Sequence, residues 1–392
     1  MPKALVIGGG VAGPAVATLL TRSGWDAPVF EARSEPDPFA GLFLNVAVNG
    51  QRVLATLGLD ERLRSDAHHA PRMAMWSGRG KQLGVVPNGP AERPEDGGIV
   101  VRRSWLHEVI RDGAEEAGVK LTYGRRLEEI RQHKDGVTVR FSDGTEEDGD
   151  IVIGADGVGS VVRRYVAPDA APSFSGLLGT GGFARVPGLE PTPGFQHFVF
   201  GARSFFGYLV RDDGTVYWFA NLTADAPPTA ATSEDWLARL RELHADDPAP
   251  VPDILAATPG PLTVYPIFRL PKVRPWWQDR AVLLGDAVHA TSPSAGQGAS
   301  MALEDAAVLA DELQRSDVEQ AFQRYEDARR ERAEALVAYA AGIDKQKRVS
   351  RSRIAVALRD LMLPIFLRKA AADHSTDWIF DYDVSRRTRE VR

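Results

Sequence analysis

Short, uniformly apolar runs alternate along the chain with stretches whose hydrophobic positions recur every three to four residues. Runs of the first kind predict strands buried on both faces, and the second kind predicts amphipathic helices. Residues 4–7, Ala-Leu-Val-Ile, open the series as a strand, and residues 15–20 continue as a helix. A second apolar strand spans residues 28–30, and a loop with Pro36, Pro38 and Gly41 runs on to Asn49. Val53, Leu54, Leu57 and Leu59 mark a short helix around Gly58. Residues 72–77 and 82–86 alternate about Gly78 and Gly80, as a hairpin would. Leu106, Val109, Ile110 and Ala114 form a helical stripe behind Ser104, a natural N-cap. Strands follow at 120–123 and 136–141, then a strand, a glycine turn and a helix over 150–164 that holds Arg163 and Arg164. Residues 280–284 form one more buried strand. A long helix carries Met301, Leu303, Ala307, Leu309 and Leu313, and another runs from 318 to about 342.

Residues 173–274 differ in character: they hold 14 of the chain's 32 aromatic residues, many of them in strand-like runs. Phe195, Phe198, Phe200, Phe205, Phe206, Tyr208, Tyr217, Trp218 and Phe219 belong to them. Aromatics fill any sheet core, and a sheet walling an apolar pocket needs the same composition, so both readings stand. Residues 345–372 are basic and amphipathic, with Leu358, Leu361, Met362, Ile365 and Phe366 on one side. Such a helix can lie on a membrane or cover the protein's own surface. The interruptions at Asp360 and Pro364 favour the second.

Composition narrows the chemistry. At 392 residues the chain is long enough for two or three domains, and 44% hydrophobic with 26% charged residues is ordinary for a globular protein. A formal charge of −6 argues against nucleic acid as a partner. The absence of cysteine excludes disulfides, thiolate metal sites, iron–sulfur clusters and thiol nucleophiles. Eight histidines show no ligand spacing, so no metal is expected. The strand at residue 4 leaves no room for a signal peptide, and no apolar run reaches spanning length. A cytoplasmic protein with no membrane partner is the expectation.

Chemistry enters at the strand ends. Gly8, Gly10 and Gly13 fall on the G-x-G-x-x-G spacing between the first strand and its helix. Gly8 makes the tight turn, Gly10 lets backbone approach a pyrophosphate, and Gly13 lets helix and strand pack closely. The helix N-terminus offers free N–H groups and a positive dipole end to phosphate. Glu31 ends the second strand, where an acid can accept adenosine ribose hydroxyls. The motif by itself leaves NAD and FAD open.

Two further glycine-punctuated strand ends, at 154–159 and 285–298, complete a set of three. In order they read G-x-G-x-x-G with E-A-R, then D-G, then G-D-A-V-H…P-S-A-G-Q-G…E-D. This triplet resembles the fingerprints of the class A flavoprotein monooxygenases, the p-hydroxybenzoate hydroxylase-like family, over essentially the whole chain. The resemblance implies an α/β fold: a Rossmann-type FAD-binding domain, an interleaved β-sheet substrate domain and C-terminal helices. Residues 1–71, 98–172 and 275–342 would bind FAD, 72–97 and 173–274 would face substrate, and 343–392 would form a helical segment.

By the same resemblance Gly8, Gly10, Gly13 and Glu31 would hold the ADP half of non-covalently bound FAD, with Arg33 beside the ribose. Arg103 would reach the pyrophosphate region, and Asp156 would serve FAD and the nicotinamide cofactor. Asp286 would bind a ribityl hydroxyl, and Pro293, Gly296, Gly298 and Ala299 would follow the isoalloxazine edge. Backbone N–H groups at 298–299, where the long helix starts, would stabilise negative charge on reduced flavin. Val288 and Ser300 depart from the Ala and Asn frequent in the family, and Ser300 puts a side-chain contact to flavin in doubt. NADPH or NADH would reduce the flavin, O2 would add at its C4a carbon, and the hydroperoxide would oxidise an apolar aromatic or polycyclic substrate. Phe206 and Tyr217 are the candidate substrate residues. No acid–base residue is assigned; His289 stands beside the flavin loop as a structural or flavin-edge residue rather than a proton relay. A flavin-dependent reductase or dehydrogenase of an alkene, and a flavoprotein that binds without turnover, stay open as alternatives.

Overall fold

The apolar run Ala4–Ile7 forms a strand near the middle of a six-stranded sheet, fully covered on both faces. The computed structural model describes residues 1–36, 41–90, 92–228, 235–347, 360–365, 367 and 375–384. From one edge to the other the sheet runs Trp277–Gln278, Ala281–Leu283, Ile151–Gly154, Ala4–Ile7, Val29–Phe30 and Leu121–Thr122. All pairs are parallel except the first, so helices must cross over its faces to return the chain. Ala12–Arg22 is one such crossover and packs along the helix Gly298–Arg315.

The order matters for the site. The strands ending at Leu283, Gly154 and Ile7 are immediate neighbours, so the three glycine turns emerge side by side at their carboxyl ends. They also touch. A Cβ on Gly8, whose φ is +114°, would sit 2.3 Å from the carbonyl oxygen of Ala155. A Cβ on Gly13 would sit 1.9 Å from the carbonyl oxygen of Gly8, so only glycine lets this helix start so close to its strand.

A seven-stranded sheet stands against this layer. Its order is Tyr265–Arg269, Ser173–Arg185, Thr215–Thr223, Phe205–Val210, Phe195–Phe200, Arg72–Ser77 and Gln82–Pro87. The hairpin expected at 72–86 therefore extends the aromatic sheet, through a parallel pairing with Phe195–Phe200. Between the two layers lies a small sheet of Phe43–Val46, Ile99–Arg102 and His68–His69. A separate meander, Leu127–Gln132, Val137–Phe141 and Glu146–Gly149, completes the strands.

Several local expectations shift. Phe43–Val46 is a strand in a stretch whose glycine and prolines read as loop, and the short helix expected from Val53, Leu54 and Leu57 starts earlier, spanning Val48–Leu57. Gly58 caps that helix in the left-handed conformation. The helix Arg103–Glu116 begins one residue before Ser104, which makes no cap bond. Within the aromatic segment two helices appear, Trp236–Leu243 and Val251–Ala257. They cover one face of the seven-stranded sheet. Asp235 caps the first by accepting from the Ala238 amide. Helix Val318–Lys347 outlasts the expected end near 342.

Of the amphipathic tail, residues 360–365 are helical, with Leu361, Met362 and Ile365 exposed. Leu358 and Phe366 lie outside the described residues. No described helix is long and apolar enough to cross a membrane.

Candidate flavin site

The first turn fits a dinucleotide in its detail. Gly10, unlike Gly8 and Gly13, has nothing within 4 Å of where a Cβ would stand. Its lack of a side chain therefore answers to no protein contact and leaves backbone open to a ligand. Glu31 Oε2 accepts from the Gly9 amide at 2.7 Å, and Oε1 accepts from the Arg33 amide at 3.0 Å. The carboxylate thus fixes the glycine loop against the end of the second strand and keeps lone pairs for ribose hydroxyls.

Arg33 and Arg103 converge on His107. Burial pushes that imidazole down to about 4, and the charges of Arg103 and Arg33 push in the same direction, so it is neutral near pH 7. Arg103 opens the helix Arg103–Glu116, and its side chain lies over Gly41, where a Cβ would come within 2.7 Å of Cδ. His107 was not singled out in the sequence, because a histidine inside a helical stripe reads as packing.

Asp156 is used inside the protein. Its Oδ2 accepts from the Val161 amide at 2.6 Å and from Val162 at 3.2 Å, while Oδ1 accepts from the Ser160 hydroxyl. It therefore caps the helix Val161–Val166 and holds the second turn shut. Burial raises its carboxyl above the usual range, against these hydrogen bonds. Arg163 ties this turn to the third by donating to the carbonyls of Val158, at 2.7 Å, and Ala287, at 3.0 Å.

Asp286 follows Gly285, which takes φ +61° at the start of the short helix Asp286–His289. Its side chain opens toward solvent and makes no hydrogen bond among the described residues. Enough protein surrounds it that desolvation still raises its carboxyl, a push that His289 and Arg103 partly offset. An acceptor so placed suits a ligand hydroxyl. The variant Asp286→Ala is expected to weaken FAD binding roughly tenfold to a hundredfold, the value of a hydrogen bond to a charged group. Equal FAD affinity by titration of the apoprotein would remove Asp286 from the site.

Beyond it, Pro293–Ala295 forms a tight turn, Gly296 sits at φ +62°, and Gly298–Arg315 starts with no side-chain cap bond from Gln297. Asn45 donates to the Gly296 carbonyl at 3.3 Å. Ser300 faces away from this edge: it is fully buried, and its hydroxyl accepts from the Ala47 amide at 3.1 Å.

His289 is buried, with Nε2 against Asp305 Oδ2. Burial opposes its protonated form, but Asp305 raises it above the ordinary histidine value. The same Asp305 oxygen accepts from the Gly285 amide at 3.0 Å, and Oδ1 accepts from Arg329 Nε at 2.8 Å. Glu304 meets Arg329, Arg332 and Asn49 in turn. This buried ionic network lies directly under the third turn. Of it the sequence had offered only the E-D pair at 304–305 and His289.

The seven-stranded sheet separates the two aromatics chosen for substrate. Phe206 is fully buried and stacks on Trp218, with ring centroids 5.3 Å apart at 7°. It belongs to the core under helices Trp236–Leu243 and Val251–Ala257, on the face turned away from the glycine loops. Tyr217 lies on the other face but is buried against Phe43, Phe183 and Val100, and its hydroxyl accepts from Arg211 at 2.8 Å. On that same inward face Phe219 is only half-buried and meets Phe43, Phe198 and Phe205. Phe206 is thus corrected to a packing residue: strands alternate faces, and neighbouring positions point opposite ways.

Comparison with known proteins agrees with this geometry. Residues 1–340 match the family described as FAD binding domain. The chain is 32% identical to the aurachin C monooxygenase/isomerase of Stigmatella aurantiaca, over 85% of this chain and 86% of that protein. It is 27% identical to the 6-hydroxynicotinate 3-monooxygenase of Bordetella bronchiseptica, over 98% and 96% of the two chains. The crystal structure of HpxO from Klebsiella pneumoniae with FAD and uric acid superposes with a TM-score of 0.83 at 26% identity, covering 95% and 96%. The chain therefore belongs to the FAD-binding-domain family, among the class A FAD-dependent aromatic monooxygenases.

Proposed function

We propose that the chain takes an apolar aromatic or polycyclic small molecule into the space between the loop 293–298 and the inward face of the seven-stranded sheet. There it adds one oxygen atom from O2 at the expense of NADPH or NADH. The observation that carries this reading is the strand Phe43–Val46. Phe43 packs on Phe219 and Tyr217 of the sheet, while Asn45, two residues on and on the same side, donates to Gly296 of the loop. One strand thus spans the distance from loop to aromatic wall.

In this reading residues 1–71, 98–172 and 275–342 hold the cofactor, and 72–97 with 173–274 face the substrate. Gly8, Gly10, Gly13 and Glu31 receive the ADP half of FAD, Arg33 stands beside its ribose, Arg103 reaches the pyrophosphate region, and Asp286 takes a ribityl hydroxyl. Pro293, Gly296, Gly298 and Ala299 run along the isoalloxazine edge. FAD, when bound, supplies the activation of O2. The chain's own residues orient the rings, keep water out, and offer amides at the start of the helix Gly298–Arg315 to negative charge. His289, buried with its Nε2 engaged by Asp305, holds the loop. The proposed location is the cytoplasm.

The test is oxygen uptake coupled to NAD(P)H oxidation over a panel of aromatic compounds, with product mass. Acid treatment should release free FAD, and a hit should gain a single oxygen atom. An alkene reduced without oxygen incorporation, or flavin retained on the denatured chain, would overturn the respective part of the reading.

A further inference from the structure

Lys347, at the end of the helix Val318–Lys347, is 7% exposed, and a buried lysine ordinarily has a carboxylate partner. Among the described residues this one has none within ion-pair distance. Its Nζ donates to Asn221 Oδ1 at 3.2 Å and stands 4.3 Å over the ring of Phe205 and 5.6 Å from that of Phe219. Those three residues alternate with the outward core on their strands, so the ammonium sits on the inward face, beside the half-buried Phe219. One turn earlier on the same helix, Asp344 accepts from the hydroxyls of Ser292, at 2.7 Å, and Ser294, at 2.6 Å, which flank Pro293. The helix end therefore bridges the flavin-edge loop and the aromatic wall opposite Phe43 and Asn45. It sets between them a cation whose one hydrogen bond among the described residues goes to Asn221.

Building on the function proposed above, we infer that Lys347 is a specificity-determining residue that receives an anionic oxygen, carboxylate or phenolate, of the aromatic substrate. Such an oxygen would supply the charge partner that the protein interior withholds, while Phe205 and Phe219 hold the ring beside it. Burial pushes this ammonium down to about 8, against the pull of Asp344, the charged group on its own helix. The sheet faces it with Asn221, Phe205 and Phe219, none of which titrates near neutrality. Protonated below about 8, it is a full cation at pH 7 and loses that charge as pH rises.

The experiment uses the FAD-loaded protein and reads binding rather than turnover, by calorimetry and by perturbation of the flavin absorbance. The probes are matched pairs: benzoate, salicylate and naphthoate against their amides, and para-nitrophenolate against para-nitroanisole. In the wild type, anions should bind roughly tenfold to a hundredfold tighter than their neutral partners, with the preference fading above about pH 8. Carboxylate and phenolate arms tell which anion is taken. Lys347→Met and Lys347→Gln should abolish the preference at unchanged FAD content, and Lys347→Arg should keep it without the fade. A residue serving only to anchor helix to sheet predicts loss of melting temperature with no change in the ratio. That result, a preference surviving in both neutral variants, or no anion binding to the wild type, overturns the inference. Failure of the monooxygenase reading would show separately, as anion-selective binding without oxygen uptake.

Discussion

Arg329→Met is expected to destabilise the protein by about 3–5 kcal/mol, the cost of removing one partner from a buried ion pair. Arg329 is fully buried, with Nε on Asp305 at 2.8 Å and Nη2 2.5 Å from Glu304. Asp305 also holds His289 and the Gly285 amide, so its displacement should reach the turn that carries Asp286. A fall in melting temperature should therefore come with a fall in retained FAD. Arg332→Met is the comparison, because Arg332 contacts Glu304 from a less buried position and leaves Asp305 paired. An Arg329 variant that melts with the wild type would show that the network contributes nothing net. The pH dependence has two opposite branches. Burial disfavours ionised Asp305, but His289 and Arg329 hold its carboxyl at about 2, so its contribution is present above pH 4 and is lost as pH falls toward 2. His289 is raised by Asp305, so its contribution is full below about 6.5 and is lost as pH climbs through its raised value. His289→Gln should flatten the alkaline branch and shrink the acid branch, which Arg329 alone then sustains.

What could be read from the sequence was set by local geometry. Gly8 and Gly13 announce themselves because a tight strand–helix turn tolerates no Cβ there, whatever lies elsewhere in the chain. Asp286 follows the same logic, at the end of a buried strand. The ionic network did not announce itself. Its carboxylates at 304–305 and its arginine at 329 sit on different helices, and charges at helical spacing read as a solvated face until packing brings them together. Lys347 is hidden for the same reason: nothing in a run of charged helix residues marks the one that meets two phenylalanine rings. The helices Trp236–Leu243 and Val251–Ala257 were lost in a segment whose aromatics suggested strands throughout. The choice of Phe206 failed on register. Composition can say that a sheet is rich in aromatics, but only the pairing of Phe206 with Ala220, beside Gly207 with Phe219, assigns each ring a face.

That assignment makes the second large effect. Phe206→Ala removes a fully buried ring between Trp218 and His244 and should cost about 3–5 kcal/mol, as deletion of a core aromatic does. Its loss acts through the whole sheet, so melting temperature, FAD content and substrate use should fall together. Phe219→Ala should behave otherwise. The ring is half-buried on the inward face, among Phe43, Phe198 and Phe205 and near Lys347, so truncation gives up less buried area. FAD should stay bound, while the dependence of NAD(P)H oxidation on the aromatic substrate, and the position oxidised, should change. Tyr217→Phe falls between the two: it keeps the ring against Phe43 but strands one Arg211 donor, at about 1–3 kcal/mol. The decisive reading is a pair of measurements on each variant, melting temperature with FAD occupancy and substrate-stimulated NAD(P)H oxidation. If Phe219→Ala melts as early as Phe206→Ala and leaves substrate use untouched at equal FAD content, the inward face is ordinary core, and the substrate lies elsewhere.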